Sequence, residues 1–274
     1  MVIDLEPAKQ PPFGKLYSLR PNKLELCNKY LDEIVRSGKI QPSKSSAGAP
    51  IFFAKQANSK LHIVADYHSL NAITIKDKYL LPFMPTLMEQ VGTSQLFSIQ
   101  DLKLGFNLLH IPEEDEWKMA FKTRYSLYEY TVIPFGLMNA LFVFQRYLNN
   151  ILFEKIDHGV VIYIDDILIY TQTKEEHVEL MRWVLKRLLK NSLCVNIDKC
   201  ILHVPEVEFV GFQIGTQGVQ MSQKKVKDIL TWPASRSMKE VQKFIGFANF
   251  YPRFIQGFSK LTLSIQTLTH NGDM

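Results

Sequence analysis

The sequence predicts an α+β fold, and three observations carry that reading. Strand-like apolar runs and helical periods share the middle of the chain without the strict alternation of a doubly wound parallel sheet. The last fifty or so residues change character to short, basic, capped helices. The composition, 46% hydrophobic and 22% charged over 274 residues, suits one large domain or two to three small subdomains sharing a core. It excludes disordered, collagenous and low-complexity chains. No run approaches the ~20 apolar residues of a membrane helix, so no membrane partner is expected.

Each element has a local cause. Residues 5–20, rich in Pro, Gly and Lys, read as an extended entry segment. Asn22 caps a helix over 23–37 with Cys27, Leu31, Ile34 and Val35 as its apolar stripe, and Gly38 stops it. Residues 39–50 read as a loop, followed by strands at 50–55 and 61–66 around a polar turn at Ala57–Lys60. Leu96–Asp101 is a strand, and Ser126–Ile133 is part of a hairpin. Asn139–Leu152 is a helix with Leu141, Phe144, Gln145 and Leu148 along one side. Val160–Thr171 is a tight hairpin of two β-branched runs about Asp165-Asp166. Thr173 and Glu176 form a capping box for a helix to Lys190, with Val178, Met181, Leu185 and Leu188 on its buried face. Val207–Ile214 is a strand-like run, Ser222 caps a short helix ending near Trp232-Pro233, and Ser237 with Glu240 caps a helix through Phe250.

Charge is placed unevenly. Residues 1–172 hold 18 Lys/Arg and 18 Asp/Glu, whereas residues 173–274 hold 14 against 9, so the whole +5 lies in the last third. A basic lobe on a neutral body can belong to a polyanion-binding protein, but charge alone favours the plainer reading of solvated helix faces. Cys27, Cys194 and Cys200 lack CxxC spacing, which argues against a disulfide framework or a zinc knuckle. With no secretory start in MVIDLEPAKQ, an intracellular, cytoplasmic setting is expected, particle-associated or nuclear settings remaining open.

The chemistry sits in carboxylates. Asp165 and Asp166 lie between apolar runs, where like charges repel and resist desolvation; a divalent cation offsets both costs. An aspartate in a turn can also simply bond its own backbone. Asp101, closing the Leu96–Gln100 run, is a third acid. Three such groups converging from neighbouring strands could hold two metal ions, one activating an attacking oxygen and one steadying a leaving group.

These segments, in order and wording, resemble the reverse transcriptase of gypsy-like (metavirus) LTR retrotransposons. The resemblance runs from IDLEP at Ile3–Pro7 through GAPIFFAK (Gly48–Lys55), ADYHSLN (Ala65–Asn71) and FSIQDLKLGF (Phe97–Phe106). It continues through IPFGLMNALFVFQR (Ile133–Arg146), VIYIDDILIYTQTKEEHVE (Val161–Glu179), VEFVGFQI (Val207–Ile214) and FANFYPRFIQGFSK (Phe247–Lys260). The resemblance implies a right-hand polymerase: fingers 1–76 and 109–134, palm 77–108 and 135–216, and a small helical thumb 217–274. It implies an RNA-directed DNA polymerase that adds dNTPs to a primer 3′-hydroxyl on an RNA or DNA template. Two Mg²⁺ ions, with Mn²⁺ also admissible, would be held by the catalytic aspartates Asp101, Asp165 and Asp166.

Further roles carry over one position at a time. Lys55 matches a fingers lysine near the γ-phosphate, and the N–H groups of Leu104 and Gly105 face the triphosphate. Phe106 packs under the sugar against a 2′-hydroxyl, Phe135 forms the pocket wall, and Ile164 touches the primer end and incoming nucleotide. Phe209, Val210, Gly211 and Phe212 match the primer-grip hairpin. For the aromatics, ordinary core packing is the reading without the family.

The sequence departs from the family pattern at several positions. His62 stands where an arginine clamps the triphosphate, and His68 where the DYR-type motif has arginine. Gln100 replaces an aliphatic residue, Leu141 a proline, Ser126 a glycine, and Ser46-Ala47 a Pro-aromatic pair. No ribonuclease H, protease or integrase motif is recognisable, so a polymerase module alone is expected. The competing expectation is a retroelement relic that keeps nucleic-acid binding but little catalysis; an intron-maturase type is disfavoured by PFGL and FVGF.

Overall fold

Pro21 opens the first helix, α1 (Pro21–Arg36), where its fixed φ and missing N–H cost nothing. Arg20, not Asn22, holds the cap position. Gly38, at φ +71°, ends it as expected. Then come β1 (Ile40–Pro42), β2 (Ala49–Lys55), β3 (Leu61–Ala65), α2 (His68–Asn71), α3 (Met84–Val91) and β4 (Leu96–Asp101). After these lie α4 (Glu113–Glu116), β5 (Ala120–Lys122), β6 (Leu127–Tyr130), α5 (Ala140–Leu152), β7 (Val160–Tyr163), β8 (Asp166–Thr171) and α6 (Lys174–Lys190). β9 (Ile201–Val204), β10 (Glu206–Phe209), β11 (Phe212–Gly215), β12 (Gly218–Met221), α7 (Gln223–Leu230), α8 (Met238–Ala248) and α9 (Phe258–His270) follow. This computed structural model describes residues 1–18, 20–55, 61–82, 84–103, 108–235 and 237–270. The expected Ala57–Lys60 turn and Leu104, Gly105 and Phe106 lie outside the described residues.

The chain forms two compact units. The first comprises Met1–Pro82, Gln100–Ile167 and Leu180–Cys200. Its five-stranded sheet has the order β1-β6-β5-β2-β3. β1 pairs antiparallel with β6 through Ile40↔Tyr130, so the expected loop at 39–50 contains a strand whose partner is remote in sequence. β2 runs antiparallel to β3 and parallel to β5. Cys27 and Leu31 of α1 are buried with Ile51, Ile63, Tyr67, Phe121 and Ile133 in one apolar core. Fully burying a side chain of this size contributes about 1.5–3 kcal/mol. Val35, expected in the buried stripe, is exposed. The entry segment is extended and pinned: the Ile3 N–H donates to Asp115 at 2.7 Å, and Tyr17 Oη donates to Asp66 at 2.8 Å.

The second unit comprises Phe83–Ile99, Leu168–Glu179 and Ile201–Met274. In it β8, β4 and β9 lie side by side, with Phe97↔Val204 and Ile99↔Ile201 in antiparallel register. The capping box forms: Thr173 N–H reaches Glu176, and Glu176 N–H reaches Thr173 Oγ1, both at 3.3 Å. Along α6 the fully buried residues are His177, Val184 and Leu188, while Leu185 is exposed and Val178 only half-buried. The strand-like run at 207–214 forms the hairpin β10–β11, as the resemblance implies for Phe209–Phe212, turned by Val210 and Gly211, both at positive φ. Ser222 precedes α7 as expected, but its hydroxyl makes no cap bond. Ser237 does cap α8, which ends at Ala248 rather than Phe250.

Candidate active site

The Val160–Thr171 hairpin sets the site. β7 ends at Tyr163 and β8 begins at Asp166, leaving Ile164 and Asp165 as a two-residue turn. Ile164 sits at φ +59°, a left-handed conformation that a β-branched residue adopts only when its surroundings impose it. Tyr163 to Asp166 are all half-buried, with apolar Val160–Ile162 and Ile167–Ile169 fully buried on either side.

Burial, then the charges of Asp165 and Asp101, push the Asp166 carboxyl up from 3.8 to about 6, and Lys199 pulls it partly back. The three expected acids therefore share one electrostatic environment. Lys199 Nζ stands 3.2 Å from Asp101 Oδ2. It gets there because β4 is tied at its end to the segment before Lys199. Asn196 N–H donates to Asp101 O, and Lys103 N–H to Cys194 O, both at 2.8 Å. A 3₁₀ turn over Ile197–Lys199 then brings the ammonium round. Among the described residues no group of three His, Cys, Asp or Glu side chains is placed to hold a metal ion as it stands. The donor chemistry nevertheless suits a hard cation: carboxylate oxygens, one of them reluctant to ionise beside two others.

The other expected residues divide. Lys55 and His62 are placed by backbone register, paired with Leu61 and Ala54. His68 is exposed, with its Nδ1 2.6 Å from Asp66 Oδ1. Burial raises the Asp66 carboxyl, but bonds from His68 and Tyr17 outweigh it and the group sits below its ordinary value. Phe135 is exposed, on a loop that Asn71 holds from both sides: its amide donates to Gly136 O at 2.7 Å and accepts from Met138 N–H at 3.0 Å. In the second unit Phe209 and Phe212 are buried, the latter against Phe250, Tyr251 and Phe254, so only the Val210-Gly211 turn is presented.

Two residues of the first unit at this site carry no site role in the sequence reading. Lys199 is one. Gln145 is the other: fully buried, it accepts from Ile164 N–H at 2.6 Å and donates to Ile162 O at 3.1 Å. Its signal was a polar residue on the buried side of an apolar helix. Leu141, assigned to the same side, is exposed. Gln100 is buried beside Asp101 as the sequence suggested, and its Oε1 has no hydrogen-bond partner among the described residues.

Residues 53–214, more than half of the chain, match the family described as reverse transcriptase (RNA-dependent DNA polymerase). A Transposon Tf2-3 polyprotein of Schizosaccharomyces pombe is 33% identical over 252 residues, 92% of this chain and 19% of that protein. The retrovirus-related Pol polyprotein from transposon opus of Drosophila melanogaster is 33% identical over 266 residues, 95% of this chain and 26% of that protein. The chain thus spans only about a fifth to a quarter of these relatives. Among solved structures, a foamy viral protease-reverse transcriptase in complex with double-stranded DNA has a TM-score of 0.84 at 22% identity, covering 99% of this chain and 49% of that one. Its fold is the fold found here, and on the family match the chain belongs to the reverse transcriptases (RNA-dependent DNA polymerases).

Proposed function

We propose that this chain is the RNA-directed DNA polymerase module of a gypsy-like LTR retrotransposon polyprotein, adding dNTPs to a primer 3′-hydroxyl. The observation that carries it is the grouping of Asp165 and Asp166 on one half-buried turn with the charge of Asp101 in reach, where burial and then the other two acids push Asp166 up to about 6. Under this reading those three carboxylates hold the ions, Mg²⁺ by preference. When bound, the cations supply Lewis acidity at the hydroxyl and charge neutralisation at the triphosphate and leaving pyrophosphate. The chain's own residues supply the frame. Lys199 and Asn196 hold Asp101, Gln145 holds the turn bearing Asp165 and Asp166, and Asn71 holds the loop that offers Phe135 as a pocket wall.

A primed RNA or DNA template is the proposed partner. The basic last third supports it, as do the foamy viral relatives solved with double-stranded DNA and with RNA/DNA hybrid. Lys55, His62, Leu104, Gly105 and Phe106 are the proposed dNTP contacts, and Phe209–Phe212 the proposed primer grip. The decisive experiment is primer extension on RNA and DNA templates with Mg²⁺ or Mn²⁺, comparing the chain with Asp165→Asn and Asp166→Asn. Extension that survives both substitutions would show the carboxylates are misassigned.

One observation favours a second reading, a relic that binds nucleic acid with little catalysis. An unsatisfied buried acceptor such as Gln100 Oε1 costs about 1–3 kcal/mol, and this one adjoins Asp101. A chain that binds primed template, with affinity falling steeply in salt, yet extends nothing with either metal would establish that reading over the first.

A further inference from the structure

The turn that carries Asp165 is held by a directed chain of hydrogen bonds that ends far from the carboxylates in sequence. Gln145 stands at its inner end. Ile164 N–H can only donate and Ile162 C=O can only accept, so the amide has a single orientation, with Oε1 on Ile164 and Nε2 on Ile162. The same Nε2 donates to Asn149 Oδ1 at 2.9 Å, which fixes the Asn149 amide in turn. Asn149 Nδ2 then donates to Tyr79 Oη at 2.7 Å. The Tyr79 ring lies under the Arg146 guanidinium, 4.9 Å from its carbon, and Arg146 grips Asp77 through both carboxylate oxygens at 2.8 Å. Asp77 also accepts from Tyr79 N–H at 2.9 Å, closing the outer end.

Gln145 and Asn149 stand one turn apart on α5, with Arg146 three residues before Asn149, and Tyr79 and Asp77 complete the chain from a remote segment. The Asp77–Arg146 pair borders a cavity of about 520 Å³. Being water-facing, the charges there are screened, and the amides of buried Gln145 and half-buried Asn149 carry the positioning. What they position is strained. Ile164 at φ +59° would relax to a negative φ, turning its N–H away and re-aiming the residue that follows, Asp165. The Gln145 oxygen at 2.6 Å is a partner that such a flip would lose.

We propose that Gln145 is the positioning residue that keeps Ile164 left-handed, that Asn149 and Tyr79 hold Gln145 in place, and that this relay sets nucleotide selection. The link to selection rests on the polymerase reading, in which Ile164 meets the incoming nucleotide and primer end. The positioning itself does not.

The test has two arms on the full chain. The first is residue-resolved amide exchange without metal. Gln145→Met should speed exchange at Ile164 about ten-fold, the loss of one net hydrogen bond, while the Leu168 and Ile169 amides keep their wild-type rates. Tyr79→Phe, which deletes one oxygen and leaves the ring under Arg146, should speed it less, about two- to five-fold. Tyr79→Phe also keeps the arm readable should Gln145→Met not fold. The second arm is single-nucleotide insertion, in which both variants should raise the ratio of mismatched to matched insertion. Unchanged Ile164 exchange overturns the positioning role. Faster exchange with an unchanged insertion ratio in an active preparation overturns the link to selection. A wild-type chain that inserts nothing overturns the polymerase reading and that link together, while the exchange arm still decides the positioning.

Discussion

The Lys199 ammonium stands 3.2 Å from the Asp101 carboxylate, and it is the cation whose charge also reaches Asp166. Asp101 and Asp166 therefore share one lysine, and burial, with the charges of Asp165 and Asp101, leaves Asp166 half-willing to ionise. A site built this way is short of positive charge, and both pH and added cations act on it.

The metal-free protein should lose stability as pH rises through about 6. Asp166 has a folded pKa of about 6 against an ordinary 3.8, so the folded state binds the proton more tightly than the unfolded one. That contribution is fully present below the ordinary value and is gone above about 6. Thermal melting at roughly pH 5 and pH 7, with and without Mg²⁺, checks it. Mg²⁺ should raise the melting temperature more at the higher pH, and Asp166→Asn should remove the difference. Equal Mg²⁺ effects at both pH values would rule out Asp166 as the group being relieved.

Removing Lys199 should raise the Asp166 pKa further, because its charge is the one that opposes Asp165 and Asp101 there. The lysine is mostly exposed, so solvent and salt screen it and the increment in Lys199→Met should be small. A carboxyl-carbon NMR titration of the metal-free protein reads it directly. No movement, or movement downward, would mean the ion pair does not reach the turn.

Sequence legibility followed the range of each interaction. β4, α5 and the Asp165-Asp166 hairpin declare themselves locally, and so does the Thr173–Glu176 box, where a four-residue pattern closes both of its own bonds. β1 did not, because three residues, IQP, become a strand only beside Leu127–Tyr130, far along the chain. Helical spacing placed Leu141, Phe144, Gln145 and Leu148 on one side; Leu141 is exposed, whereas Gln145 is buried as placed, since the backbone of Ile162 and Ile164 offers its amide partners. Lys199 was invisible because its partner Asp101 is 98 residues away. The residue pattern alone reads 207–214 as one strand-like run, and the hairpin there comes only from the resemblance at Phe209–Phe212. A glycine inside a β-branched and aromatic run was the available signal for a hairpin.

Acid should destabilise the second unit through His177. This ring is fully buried, with Nε2 2.7 Å from Ser98 Oγ and Nδ1 2.9 Å from Thr171 Oγ1. Thr171 Oγ1 donates to Thr173 O at 3.1 Å, so it accepts from Nδ1–H, and Nε2 is left to accept from Ser98. That arrangement suits neutral imidazole. Burial, and then the His203 ring beside it, hold the pKa below its ordinary 6.5. The folded state thus binds the proton less tightly, and its stability, full above 6.5, falls as pH drops below it. Urea midpoints at several pH values on either side of 6.5 should show an acid-side loss that His177→Asn abolishes. That variant should itself cost about 1–3 kcal/mol at neutral pH from the hydroxyls it strands. An acid-side slope that persists in His177→Asn would place the titrating group elsewhere.

The last prediction concerns the turn presented by β10 and β11. Gly211 has φ +82°, and a Cβ built there would lie 2.6 Å from Tyr251 Oη, nearer than any real contact. Gly211→Ala therefore meets two penalties. The left-handed backbone costs an alanine about 1–2 kcal/mol, and the tyrosine must move although Phe212, Phe247 and Phe250 pack around its ring. Only the second penalty depends on the hydroxyl, so Tyr251→Phe should relieve that part and leave the backbone cost. In a double-mutant cycle Gly211→Ala with Tyr251→Phe should be more stable than the sum of the single changes predicts, by about 0.5–3 kcal/mol. Urea denaturation of the four proteins measures the coupling. Strict additivity would mean that the turn swings clear of Tyr251 at little cost, and that its geometry is set by Val210 and Gly211 alone. Coupling would show instead that the Tyr251 hydroxyl confines this turn. A hairpin held in that way can act as a grip. If it holds the primer, Gly211→Ala should lower extension from a primed template at temperatures where the variant is still folded, and Tyr251→Phe should restore part of it.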